Sequence, residues 1–113
     1  MKTNQFGEPI DRNGYAPSII EGHGPTECWL CHKNGMAEPL NRHEVFGGAL
    51  RRKSMELGLW VYLCHRPCHE GPHSVHEDER LKRKLKAAAQ RAAMREYDWT
   101  KDDWIREFGR SWV

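Results

Sequence analysis

The apolar positions of this chain form two short runs and two helical stripes. Leu59 to Leu63 is a continuous aromatic and branched run, the pattern of a strand, and it delivers Cys64 to a tight turn through Pro67. Upstream, Pro39 to Phe46 reads as a second short strand that stops at Gly47-Gly48, a pair that breaks strands and permits positive φ. Between the two, Ala49 to Leu57 suits a short helix ended by Gly58. Further on, Leu81, Leu85, Ala88 and Ala92 fall on one stripe at about 100° per residue. Ser74 and Glu77 have the spacing of a capping box, so the pattern predicts a long helix from Ser74 to about Arg95. Thr100 with Asp103, then Trp104 and Phe108, then Gly109, predicts a second and shorter helix. Residues 1–26 carry Gly7, Pro9, Gly14, Pro17, Gly22, Gly24 and Pro25 with no sustained apolar period. They read as an irregular or disordered N-terminal arm, leaving residues 27–113 as one domain.

Length narrows the class. With 113 residues, 38% hydrophobic and 30% charged, at a formal net charge of +2, the chain is sized for one modest domain and unlike a collagen or a highly charged disordered polymer. Its longest apolar run is far shorter than the roughly 18 residues of a membrane span, so no membrane partner is expected. The first fourteen residues carry neither the apolar stretch nor the small-residue cleavage site of a signal peptide, and the expected compartment is a reducing cytoplasm.

That compartment changes the meaning of the cysteines. Cys28-x-x-Cys31 and Cys64-x-x-x-Cys68 are two close pairs with residues 32–63 between them, the spacing of two knuckles that offer four thiolates to one tetrahedral zinc. Two disulfides, four inert thiols or a redox dithiol are the alternatives. A site closed by four protein sulfurs has no position for water, so this zinc is structural and catalysis needs other groups. Histidines supply them: His32, His43, His65, His69, His73 and His76 lie in or beside the same region. Each also has a plain structural reading. His43 can be a hydrogen-bonded residue at a strand end and His69 a zinc ligand or thiolate partner. His76 can be a first-turn surface residue, and His73 can stand in for it.

The succession CWLC, RHEVFGG, LWVYLCHRPCH and HSVH resembles the HNH endonucleases, also called ββα-metal or His-Me finger nucleases. The likeness covers residues 28 to about 95 and is closest to small phage or prophage members with a four-cysteine zinc site. The ending FGRSWV is also similar to such phage proteins. The resemblance implies an α+β fold, a zinc-stapled, treble-clef-like hairpin followed by a long helix and a short C-terminal helix. It implies DNA as substrate, His43 as the base that activates water, and His69 and His76 as catalytic residues holding a second cation, Mg²⁺ or another divalent ion, with Glu44 as a further ligand. No small-molecule cofactor is expected. Departures exist: Arg42 stands where the family often has a metal-binding Asp or His, Asn41 is misplaced for the middle Asn, and Ser54 is a poor replacement. The alternative function is a non-catalytic zinc-binding module that docks on DNA or a phage protein.

Charge patterning adds a surface. Arg80, Lys82, Arg83, Lys84, Lys86, Arg91 and Arg95 are uninterrupted by any acidic residue. Arg80, Lys84, Arg91 and Arg95 fall within about 60° of one another on a helix, suited to following a phosphate backbone. Arg51 and Arg52 add a second basic cluster. The competing reading is a solvated helix face. Trp29, Trp60, Trp104 and Phe108 are expected in the core.

Overall fold

The computed structural model describes residues 2–22, 24, 26–35, 39–69, with nothing said of the Pro67 side chain, and 74–113. It is a small α+β arrangement: β1 (Leu40–Glu44), a 3₁₀ turn (Gly48–Leu50) running into α1 (Arg51–Glu56), β2 (Trp60–Cys64), a wide turn (His65–His69), α2 (Glu79–Glu96) and α3 (Lys101–Phe108). Among the described residues no helix is long and apolar enough to cross a membrane.

β1 and β2 pair antiparallel, with Leu40 opposite Cys64, His43 opposite Val61 and Glu44 opposite Trp60. The excursion between them closes on Ser54. Its buried hydroxyl donates to the Leu59 carbonyl and accepts from the Phe46 amide at 3.2 Å, so one side chain joins the two ends of the excursion and gives the buried Phe46 amide a partner. Ser54 is thus a loop staple. Gly58 completes the closure at φ +74°, where a methyl group would collide with the Pro17 carbonyl.

The N-terminal arm is irregular and docked. Asn4, 8% exposed, donates to the Glu56 carbonyl at 2.8 Å and accepts from the Phe6 and Glu8 amides. Ala16 and Ile19 amides donate to the Met55 and Gly58 carbonyls, each at 3.0 Å. The Trp60 indole donates to the Ala16 carbonyl, and the Ser18 hydroxyl to the Trp60 carbonyl. Ala16 and Ile20 are buried. Glycine and proline spacing announces the absence of regular structure but not these long-range bonds.

The long helix starts later than its first signal. Ser74 to Glu77 form a turn in which the Ser74 carbonyl accepts from the Glu77 and Asp78 amides. Asp78 is the cap, accepting from Arg80 and Leu81 amides at 2.9 and 3.2 Å. Asp78 thus satisfies two of the first amides of the helix, whereas the Ser74 hydroxyl is buried with no partner among the described residues. The Val75 amide donates to the Cys68 carbonyl at 2.9 Å, which ties this turn to the second cysteine loop. His76 therefore sits in a turn before α2.

Leu85, Ala89, Ala92 and Ala93 bury the inner face of α2. α3 begins at the Thr100–Asp103 capping box and ends at Gly109, φ +88°. It brings Trp104 and Phe108 into a stacked pair 4.2 Å apart that meets Phe46. The Lys53 ammonium donates to the Glu107 carbonyl and the Tyr97 hydroxyl to the Leu57 carbonyl. Both bonds tie the C-terminal helices to the excursion. Trp60, Trp104 and Phe108 are core residues, while Trp29 is half-buried.

Gly58→Ala is expected to destabilise the fold by about 2 kcal/mol or more, from left-handed strain plus the Pro17 collision. Urea unfolding measures the loss, and faster amide exchange at Ile19 reports the displaced arm.

Candidate functional site

Two clusters of ligand-type side chains are gathered near the open end of the hairpin. The first is sulfur. Cys28 to Lys33 form a knuckle in which the Cys28 amide donates to the Lys33 carbonyl and the His32 amide to the Cys28 carbonyl. His32 takes φ +66° to close it. The Trp29 amide donates to the Tyr62 carbonyl at 2.8 Å, adding the knuckle to the edge of β2. The second pair comes from the end of β2 and the turn after it. All four sulfurs lie within 4.8 Å of one another, and those of Cys31 and Cys64 are 3.7 Å apart.

That spacing fits a shared ion. Thiolates about 2.3 Å from a tetrahedral metal stand about 3.8 Å from each other, whereas a disulfide needs about 2 Å. All four cysteines are free of disulfides. Burial pushes the Cys28 thiol up, but amide donors at Cys31, Cys64 and Leu30 outweigh it and bring Cys28 to about 7. Burial pushes the Cys64 and Cys68 thiols up. Four such groups can become thiolates together only with a cation among them.

The second cluster is imidazole. β1 supplies His43, the turn after β2 supplies His69, and the turn before α2 supplies His76. Their ring centroids are 5.5 Å (His43 to His69), 5.0 Å (His43 to His76) and 4.7 Å (His69 to His76) apart. One ligand nitrogen from each lies within 4.8 Å of the others. Burial pushes His43 down to about 4, and repulsion from His76 and His69 adds to it. At neutral pH it is an uncharged imidazole, able to accept a proton or bind a metal.

Asn41, two residues before His43 and so on the same face of β1, braces one member of this cluster, His69, together with the neighbouring His65. Its side-chain oxygen lies 2.9 Å from His65 Nδ1 and 3.1 Å from His69 Nδ1. An amide oxygen only accepts, so each ring presents its Nδ1–H to Asn41. Asn41 is the residue that motif reasoning set aside. Strand alternation from His43 was the signal that could have found it.

Alternation removes Glu44 from the metal site. It lies on the opposite face, where its carboxylate accepts from the Tyr15 hydroxyl and pairs with Arg51 at 3.1 Å. Burial pushes that carboxyl up, but Tyr15 and Arg51 outweigh it, leaving Glu44 below its ordinary value. Arg42 shares this back face. Its guanidinium pairs with Asp11 at 2.9 Å and lies 4.3 Å over Tyr15 and 5.0 Å over Trp60. His73, the alternative to His76, lies outside the described residues.

The basic residues divide. Arg51, Arg52 and Arg95 pair with Glu44, Glu56 and Glu21, each at 3.1 Å. Arg80, Lys84 and Arg91 are exposed on α2 and enter no ion pair among the described residues.

Compared with known proteins, the chain matches no family model, and no curated protein or solved structure matches it significantly.

Cys64→Ser is expected to abolish tight metal binding and lower the thermal midpoint by well over about 4 °C, since losing a ligand in a small domain costs several kcal/mol. Native mass spectrometry and calorimetry on the full chain check both. Retention of the ion at full affinity would remove Cys64 from the site.

Proposed function

We propose that the chain is a metal-dependent DNA endonuclease of the HNH type, of the small phage or prophage kind, working in a reducing cytoplasm. Its scaffold is read as a treble-clef-like ββα-metal hairpin with a structural zinc on Cys28, Cys31, Cys64 and Cys68. The observation that carries this reading is the convergence of His43, His69 and His76 beside the four-sulfur cluster. A structural ion alone does not call for three imidazoles with facing nitrogens.

In this reading the roles follow from chemistry. His43, neutral and partly desolvated, takes a proton from the attacking water. His69, hydrogen-bonded to Asn41, and His76 hold a second divalent cation, which when bound supplies Lewis-acid stabilisation of the charge on the phosphate. With Glu44 facing away, the ligands among the described residues are imidazoles without a carboxylate. That set favours Mn²⁺, Ni²⁺ or Zn²⁺ over the oxygen-seeking Mg²⁺. Arg80, Lys84 and Arg91, exposed on α2 and in no ion pair among the described residues, supply the cations for backbone phosphates.

The second reading is a zinc-binding module without catalysis, docking on DNA or a protein. It is favoured by the absence of any carboxylate from the imidazole cluster among the described residues.

His43→Ala is expected to lower Mn²⁺- or Ni²⁺-stimulated nicking of supercoiled plasmid by about 100-fold or more, with zinc content and helicity unchanged. Undiminished nicking would remove His43 from the mechanism, and no nicking by the parent chain with any of these ions would leave the module reading.

A further inference from the structure

On the far side of the first knuckle lies a groove that neither cluster uses. It encloses about 360 Å³ between the knuckle, the arm and α2, with Trp29 and Leu30 on one wall and Lys84, Ala88 and Arg91 on the other. These three helical residues follow one another at i, i+4 and i+7, so they share one face of α2. Ala88 leaves the space open between the two cations. Gly22, which has no side chain, lies beside the Trp29 indole.

Charge and shape agree on an occupant. Lys84 and Arg91 enter no ion pair among the described residues. Glu21, the one carboxylate lining the groove among the described residues, is already paired with Arg95 at 3.1 Å. A half-buried aromatic wall facing two uncommitted cations matches a flat π-system that carries an adjacent negative charge.

We propose that this groove is a subsite for one unpaired nucleotide of a nucleic-acid strand, its base against Trp29 and Leu30 and its phosphate on Lys84 and Arg91. The inference rests on the nucleic-acid substrate of the reading above, and not on cleavage. It narrows that substrate to strands with an unstacked base, such as gaps, flaps or single-stranded tails, because a base inside a duplex cannot leave its stack without cost.

The test uses the zinc-loaded full chain and fluorescence anisotropy. The probes are a labelled thymidine oligomer of about ten nucleotides, an abasic oligomer of the same length, and a duplex. The thymidine oligomer should bind about ten-fold more tightly than the abasic one, the range expected for stacking of a single base. Trp29→Ala should erase that difference. Ala88→Leu, which fills the groove from α2 and leaves all four cysteines in place, should erase it too while zinc content and duplex binding stay unchanged.

Equal affinity for the two oligomers would overturn the subsite. So would an Ala88→Leu variant that keeps the preference, or displacement of the thymidine oligomer by polyglutamate as effectively as by unlabelled oligomer, which would mark an acidic-peptide site. Plasmid nicking on the same preparations separates the two readings. Base preference without nicking supports the subsite and removes the nuclease reading. Nicking without base preference does the reverse.

Discussion

Four sulfurs from segments far apart in sequence are held within one ion's reach, and the hairpin's open end depends on that convergence. The first knuckle is joined to β2 through the Trp29 amide, and the turn after β2 carries Cys68 back toward it. The Cys68 carbonyl in turn receives the Val75 amide. This fixes the turn that bears His76. The imidazole cluster is therefore downstream of the sulfur cluster: His69 directly follows Cys68, and only His43 comes from the sheet itself.

The rest of the molecule supports this end from behind. A sheet of two strands is marginal alone, and here both the excursion and the arm lean on it. Ser54 closes the excursion, Gly58 lets the chain pass close to Pro17, and the arm from Asn4 to Ile20 occupies carbonyls of α1 and β2. The Tyr15, Glu44, Arg51 and Arg42 contacts occupy the back face of β1. One face of the strand thus anchors the arm and the other presents Asn41 and His43. The two-residue period of a strand is what separates anchoring from chemistry.

Much of this was readable in advance. The two cysteine pairs, the strand run ending at Cys64 and the Thr100–Asp103 box are local signals backed by strong chemistry, and each marks what the structure contains. The start of α2 is ambiguous in sequence because two cap signals overlap: the Ser74 box is complete, but it is Asp78 that takes the Arg80 and Leu81 amides, while the Ser74 hydroxyl takes none. The resemblance offers Glu44 as a possible further ligand, whereas the two-residue period of β1 turns its carboxylate toward Tyr15 and Arg51. Asn41 was missed because a motif was expected elsewhere, and the arm's docking was invisible because its bonds run from irregular backbone to residues about 40 or more positions away.

The most direct test of the central claim is X-ray absorption at the metal edge of the purified full chain. One tightly held zinc ion with four sulfur neighbours at about 2.3 Å is the predicted result. Protein that carries no tightly bound ion, or an ion bound only through nitrogen and oxygen, would contradict it.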